Sequence, residues 1–121
     1  VRITGVNLPT ANYVSVPNLI MDLMKQVKNK NEDIITLSAS THTKFEQIHP
    51  FSDGNGRVGR LLMNAMLLEA NFAPAVILQQ QKQLYYAYLY KAQTTEDQSQ
   101  LENFLCDSIV YGFEILERKD K

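Results

Sequence analysis

Twelve consecutive residues, from His49 to Arg60, hold most of the side chains in this chain that could do chemistry. The segment reads His-Pro-Phe-Ser-Asp-Gly-Asn-Gly-Arg-Val-Gly-Arg, so it offers an imidazole, a carboxylate, an amide and two guanidinium groups. The imidazole of His49 titrates near neutral pH and could take a proton from an alcohol. Asp53 is placed to hold a hard divalent cation that also touches phosphate, as magnesium does. The segment thus combines a candidate base with a candidate metal ligand.

The centre of the segment is typical of an anion-binding turn. Gly54 and Gly56, on either side of Asn55, allow backbone N–H groups to point toward one spot, and the helix that follows directs its positive dipole end there. Arg57 and Arg60 lie one turn apart on that helix and add donors suited to phosphate oxygens. Because two arginines that face inward are costly to desolvate without anionic partners, we interpret the turn as a phosphate cradle.

Two other loop motifs are excluded at defined positions. A Walker phosphate loop ends in Gly-Lys-Ser or Gly-Lys-Thr, whereas Gly59 is followed by Arg60 and Leu61. An EF-hand calcium loop that begins at Asp53 needs an oxygen ligand at its fifth position, where Arg57 stands. The segment is therefore neither of these two motifs.

The composition of the whole chain bounds its partners and its compartment. The 121 residues, 45% of them hydrophobic, suffice for one domain with one core. A net charge of −1 predicts no nucleic-acid or membrane partner. The single cysteine, Cys106, excludes an internal disulfide, fits a reducing compartment and is expected to be a small core residue. No charged-then-apolar leader opens the chain, and because it begins at Val1 inside a predicted strand, we interpret it as a fragment of a longer protein.

The elements that position the loop follow from apolar spacing. Short β-branched runs over 1–6 and 13–16 predict a β-hairpin. From Pro17 the spacing becomes helical, and it predicts helices from 17, over 34–48, over 58–68, over 82–93 and over 97–118. The helix over 58–68 is apolar on nearly all sides and is expected to be buried at the domain centre, with a polar stripe at Arg57, Arg60 and Asn64. The residues of the last helix expected to face the core are Leu101, Phe104, Leu105, Ile109, Phe113 and Leu116.

The segment from His49 to Arg60 matches, at every defined position, the signature H-x-F-x-D/E-G-N-G-R-x-x-R of the Fic family, and the chain resembles a Fic domain. The similarity extends to the preceding helix, to the run Arg60–Asn64 and to the pair Tyr85–Tyr86. It implies an all-α fold, a helical bundle with a small N-terminal β-hairpin flap over the active site. Residues 1–121 would then be a single Fic core domain, with the flap over 1–16 and the helical core over 17–121.

Members of this family transfer AMP or related groups to protein hydroxyls, and the resemblance implies a role for each matching position. His49 would deprotonate a Ser, Thr or Tyr of the target protein, and Asp53 would bind Mg²⁺. Arg60 matches the arginine that reaches the γ-phosphate of ATP, the co-substrate. The positions that match the other phosphate-binding residues are Gly54, Asn55, Gly56 and Arg57. The hydroxyl would attack the α-phosphorus, and pyrophosphate would leave.

The binding site for the nucleotide base is less well defined by the sequence. Tyr86 and Gln93 share one face of a predicted helix and could frame adenine, although relatives often have Asn at the position of Gln93. Alternatively, Tyr86 and Tyr90 form an ordinary aromatic pair at the solvent edge. His42, two turns before the signature histidine, is interpreted as a structural residue.

Docking and regulation are expectations from the same resemblance. An exposed strand edge of the flap could pair with an extended segment of the target protein. Many relatives are inhibited by a helix that bears S/T-x-x-x-E-G/N, but none of the seven glutamates here has Ser or Thr four residues before it. We therefore expect any inhibitory helix upstream of Val1 or on another chain. The oligomeric state is open, a homodimer included.

Three functions stay open on the sequence. AMP transfer is favoured by the intact Gly-Asn-Gly turn and both arginines. Another transfer on the same fold, of a phosphoryl, UMP or phosphocholine group, or removal of AMP, is the second. A non-catalytic nucleotide- or protein-binding module is the third, and the presence of His49 and Asp53 argues against it. A cytoplasmic bacterial regulator is the expected setting, and a secreted effector would share these residues.

Overall fold

The helix that precedes the signature loop is the central element of the fold. A computed structural model describes residues 13–28 and 32–119, and it places α2, Ile34–Ile48, in contact with every other α-helix of that part. Asp33 caps the start of α2, because its Oδ1 accepts hydrogen bonds from the backbone N–H groups of Ile35 at 2.9 Å and Thr36 at 3.3 Å. The other helices are α1 at Val16–Val27, α3 at Asn55–Glu69, α4 at Lys82–Thr95 and α5 at Ser99–Lys119.

The all-α prediction is confirmed over the described residues, where no strand occurs. Residues 1–12 of the predicted flap lie outside the described part. The second predicted strand, over 13–16, is wrong, because Tyr13–Ser15 form a 3₁₀ turn and Val16 begins α1. Packing overrides the β propensity of these residues, since Val16 joins the apolar side of α1 against a small core cluster of Leu23, Phe45 and Ile48.

The main core lies between α2, α3, α4 and α5. It is built around Ala39 of α2, and its largest fully buried members are Met63, Leu67, Tyr85, Leu101 and Leu105. The smaller cluster joins α1 to the end of α2, where Phe45 and Ile48 are buried immediately before the signature loop. The loop therefore follows a firmly packed helix end.

The expectation that α3 is buried on nearly all sides is wrong. Met63 and Leu67 are buried, but Val58, Leu61 and Leu68 are exposed, because α3 packs mainly on α2 and its opposite side is uncovered within the described residues. The most buried helix is instead α2, which carries polar buried residues that an apolar pattern does not reveal. None of the described helices combines the length and the apolar character needed to cross a membrane.

The second half of α5 also differs from the expectation. Leu101, Phe104 and Leu105 face the core as predicted, whereas Phe113 and Leu116 are exposed. Cys106 is exposed as well, so it is not the core residue that was expected. The buried side of α5 continues through Ser108 and Gly112 instead, so the bulky residues beyond it have no described element to pack on.

Gly112 is the point at which α5 meets the extended segment after α3. A Cβ at this position would lie 2.0 Å from the backbone oxygen of Pro74. We expect Gly112→Ala to lower the free energy of unfolding by about 1 to 3 kcal/mol, because the backbone must move to relieve the overlap. Chemical denaturation measures this change, with Asp107→Ala, an exposed position on α5, as the near-neutral control. If the two variants have equal free energies of unfolding, the backbone at Pro74 can move away from the added methyl group at little cost.

Candidate active site

The end of α2 places His49 at the mouth of the site. His49 has a left-handed backbone (φ 54°, ψ 59°), and its N–H donates to the carbonyl oxygen of Phe45 at 3.0 Å. Pro50 follows and cannot continue the helix, so the chain turns away at this residue. The ring is half-buried, and burial lowers the pKa of His49 below its ordinary value. The lowered pKa favours the neutral form of the imidazole, which a general base requires.

The loop after His49 is closed by one side chain. Asn55 is buried, its Oδ1 accepts from the N–H of Phe51 at 2.9 Å, and its Nδ2 donates to the carbonyl oxygen of Phe51 at 2.7 Å. Both ends of the amide are thus used on the loop itself. A ligand would meet the backbone N–H of Asn55, because the side chain is buried and holds the loop with one donor and one acceptor.

The first turn of α3 has the backbone geometry that the predicted cradle requires. Gly54 caps the helix with φ 81° and ψ 10°, a conformation that favours glycine, and its carbonyl oxygen accepts the first helical hydrogen bond, from Val58 at 3.0 Å. The N–H groups of residues 55–57 consequently have no partner within the helix. Together with the helix dipole they attract an anion at this end of α3.

A cavity of about 170 Å³ lies at this helix end. It is lined by Glu46, His49, Ser52, Asp53, Gly54, Asn55, Gly56 and Tyr86. The structure therefore brings the predicted base, the predicted metal ligand and the glycine turn to one place. Ser52 was not singled out from the sequence, because a serine in a loop carries no distinctive pattern.

The two arginines reach back over the glycines. Arg57 Nη2 lies 3.0 Å from the position that a Gly54 Cβ would take, and Arg60 Nη1 lies 3.0 Å from that of a Gly56 Cβ. Arg57 is exposed and only 3.8 Å from the Asp53 carboxylate, so the expectation that both arginines face inward is wrong for this one. Arg60 is half-buried. The cradle is thus covered by two cations, the exposed Arg57, which lies near Asp53, and the half-buried Arg60.

Asp53 fits an open magnesium site. Its carboxylate is exposed and lines the cavity in front of the cradle. The described part of the chain contains no group of three or more His, Cys, Asp or Glu that could enclose a metal. Magnesium commonly binds one or two carboxylates and completes its shell with phosphate oxygens and water. One carboxylate beside a phosphate cradle is compatible with that coordination.

The structure separates the two residues predicted to frame the base. Tyr86 lines the cavity, and its ring centroid lies 5.1 Å from that of Tyr85. Gln93 lies in a neighbouring depression between α2 and α4, where its Nε2 is 3.4 Å from the carbonyl oxygen of Thr43. Tyr86 is therefore part of the site, whereas Gln93 is not brought to the same cavity.

One buried charged residue beside the cradle, Glu46, was not singled out from the sequence. Glu46 is only 5% exposed, and burial raises its pKa to about 7 although the nearby Arg60 acts to lower it. His42 is fully buried in contact with the hydroxyl of Tyr85, and burial and the charge of Arg60 lower its pKa to about 4. The structural interpretation of His42 is thus confirmed. The spacing of Glu46 from His42 and His49, one turn from each, was the available signal.

The asparagine of the predicted polar stripe also has a structural role. Asn64 Oδ1 accepts from the backbone N–H of Ala75 at 2.8 Å, and Nδ2 donates to the carbonyl oxygen of the same residue at 3.4 Å. It fastens the extended segment after α3 to the helix. The stripe therefore lies over the glycine turn at its start, at Arg57 and Arg60, and has a structural role at its end.

Comparisons with known proteins agree with this geometry. A probable protein adenylyltransferase of Aquifex aeolicus is 53% identical over 62 residues, which are 50% of this chain and 19% of that protein. The protein adenylyltransferase Fic of Nematostella vectensis is 41% identical over 87 residues, 64% of this chain and 20% of that protein. The structure of Fic-1 from C. elegans matches with a TM-score of 0.81 at 26% identity, covering 99% of this chain and 37% of that one.

The chain spans a fifth or less of the length of these two curated relatives. Its similarity is centred on α1, α2, the signature loop and α3, since the sequence model of the Fic/DOC family matches residues 2–67, more than half of the chain. The signature, the helical fold and this match lead to one conclusion: the chain belongs to the Fic/DOC family.

Proposed function

We propose that the protein transfers AMP from ATP to a hydroxyl side chain of a target protein and releases pyrophosphate. The observation that carries this proposal is the single cavity that holds His49, Asp53 and the glycine turn at the start of α3. A base, a metal ligand and an anion cradle are the groups that nucleotidyl transfer needs. The names of the relatives from Aquifex and Nematostella, both protein adenylyltransferases, support the same reaction.

In the proposed reaction, His49 takes the proton of the target hydroxyl while its oxygen bonds to the α-phosphorus. The bond between that phosphorus and the oxygen bridging to the β-phosphate breaks, and pyrophosphate leaves with that oxygen. The free N–H groups of residues 55–57, with Arg57 and Arg60, bind the negative charge of the phosphates. Mg²⁺ bound by Asp53 would neutralise part of the same charge. Most of the catalysis is then positioning and charge stabilisation.

The adenine base is proposed to lie against Tyr86, with Gln93 farther along α4. The ring of Tyr86 is 40% exposed, so its free surface is available for stacking. Docking of the target protein by strand addition remains a proposal that concerns residues 1–12, outside the described part of the chain.

The test offers ATP labelled at the α- or the γ-phosphate to the protein together with lysate proteins. We expect label on protein from the α-position only, and none with His49→Ala. Label from the γ-position only would show that the protein transfers a phosphoryl group, and the proposal of AMP transfer would be wrong. No label from either position would indicate a binding module or a different donor.

A further inference from the structure

The cavity at the start of α3 contains one buried carboxyl group that the transfer steps above do not use. Glu46 of α2 is only 5% exposed, and it lines the cavity together with His49, Gly56 and Tyr86. A carboxyl group that borders a ligand can contact it in two ways, as a carboxylate that accepts hydrogen bonds or as a neutral acid that donates one. The form that is present therefore decides what Glu46 can do for a phosphate.

The packing of α3 on α2 leaves the carboxyl group of Glu46 without a compensating partner. Its Oε1 is buried and has no hydrogen-bond donor in the part of the chain that the structure describes. A Cβ at Gly59 would lie 2.5 Å from this oxygen, so the carboxyl group lies close to the backbone of α3. Among the described residues, no basic nitrogen lies within 4.0 Å of either carboxyl oxygen. A buried anion without a donor or a cation is costly, so these surroundings favour the neutral acid.

The titratable groups around Glu46 do not reverse this preference. On α2, burial lowers the pKa of His42 and of His49, one helical turn away on either side, which favours their neutral forms. On α4, burial raises the pKa of Tyr85, so its hydroxyl keeps its proton. The charge of Arg60 on α3 acts to lower the pKa of Glu46, but burial outweighs it and raises that pKa to about 7. The other titratable groups that line the cavity are Asp53 and Tyr86.

We propose that Glu46 contacts the bound polyphosphate as a neutral carboxylic acid, donates a hydrogen bond to one of its oxygens and thereby couples nucleotide binding to the uptake of one proton. The cavity places this carboxyl group beside the cradle, where the N–H groups of residues 55–57 attract an anion. An ionised Glu46 would repel the phosphates, whereas a protonated one adds a donor to the cradle. The inference rests on the proposed function for the identity of the ligand.

The proton comes from solvent when the phosphates bind. Their negative charge disfavours a second negative charge beside them, so binding raises the pKa of Glu46. Glu46 is then protonated in the complex at a pH at which it is ionised in the free protein. ATP affinity is consequently highest below the pKa of Glu46 in the free protein and falls as the pH rises above it, by up to about tenfold per pH unit.

The experiment measures the proton uptake that accompanies binding of ATP with Mg²⁺, by calorimetry at pH 8 in Hepes and in Tris, two buffers with different ionisation enthalpies. The protein carries His49→Ala, so no transfer occurs and this imidazole does not titrate. Because the pKa of Glu46 is about 7, its carboxyl group is mostly ionised in the free protein at this pH. We therefore expect an uptake of about half a proton to one proton per ATP bound.

Two substitutions of Glu46 in this parent protein separate its proton from its shape. Glu46→Gln keeps a donor and cannot ionise, so it should bind ATP without proton uptake and with an affinity that does not change from pH 7.5 to 9. Glu46→Leu removes the donor as well, and it should bind ATP about three- to tenfold more weakly than Glu46→Gln. Glu69→Gln neutralises an exposed carboxylate of α3 and is the matched control, expected to keep the proton uptake.

Several results would overturn the proposal. They are the absence of proton uptake in the parent protein, uptake that persists in Glu46→Gln, weaker ATP binding by Glu46→Gln than by the parent at pH 7.5, and equal affinities of the Gln and Leu variants. Circular dichroism confirms that each protein is folded. A parent that binds ATP without proton uptake contradicts this inference alone. A protein that takes up the proton but, with His49 restored, transfers no AMP contradicts the proposed reaction alone.

Discussion

Replacing His49 by alanine is expected to lower the rate of AMP transfer by a factor of about 10² to 10⁴, the usual contribution of a positioned general base. ATP binding should change little, because the cradle is formed by the start of α3 and by Arg57 and Arg60. The measurement compares the single-turnover transfer of AMP from α-labelled ATP with the affinity for ATP in the same variant. Gln47→Ala, two residues earlier and exposed, is the control and should retain normal transfer. A His49→Ala protein that transfers AMP at the wild-type rate would remove His49 from the mechanism.

The same residue sets the expected pH dependence of the reaction. Burial lowers the pKa of His49 from the ordinary value of 6.5. Only the neutral imidazole accepts a proton, so activity is lost as the pH falls through the pKa of His49 and is retained above it. We therefore expect the acidic limb of kcat/KM to have its midpoint below 6.5. A midpoint at higher pH would mean that another group limits the rate or that His49 acts in its charged form.

The signature loop could be predicted closely because its chemistry is local. Gly54 is needed because the backbone is left-handed at this position. The positive end of the α3 dipole lies at the next turn of the chain, so its position also follows from the local sequence. His49 and the residues from Ser52 to Gly56 are close in sequence, so their convergence on one cavity required no long-range contact. The placement of Gln93, by contrast, depends on how α4 packs against α2, and spacing along one helix does not contain that information.

Burial was predicted less well where neighbouring elements decide it. An apolar helix such as α3 was expected at the centre, yet Leu61 is 71% exposed because only one side of α3 is covered in the described part of the chain. The more buried helix, α2, contains His42, which was interpreted as structural, and Glu46, a charged residue that looks like a surface residue in the sequence. Gly59 makes their burial possible through close helix packing, and that requirement appears only when two helices are placed together.

Asn55→Ala is the second change with a large expected effect, because one amide closes the whole loop. It removes both hydrogen bonds to Phe51, and we expect unfolding free energy to fall by about 1 to 3 kcal/mol. Transfer should fall about a hundredfold, since a shift of about 1 Å in the loop misplaces the reacting groups. Thermal unfolding and single-turnover transfer are measured on the same protein. Asn64→Ala is the matched control, because it also removes an asparagine with two backbone hydrogen bonds, to Ala75, but lies outside the cavity.

Asn55→Asp separates the loop from the charge of the site. The carboxylate keeps the acceptor for the N–H of Phe51 but loses the donor to its carbonyl oxygen, and it adds a negative charge at the start of α3. That carboxylate is buried, and one of its oxygens faces the carbonyl oxygen of Phe51 at the position where Nδ2 donates, so stability should fall at least as much as in Asn55→Ala. The same charge repels the phosphates of ATP, so ATP affinity should fall more than in Asn55→Ala. Asn64→Ala, in turn, should lose stability and keep its affinity for ATP. If Asn55→Asp binds ATP as tightly as the unaltered protein does, the phosphates do not lie at this turn and the cradle must be sought elsewhere.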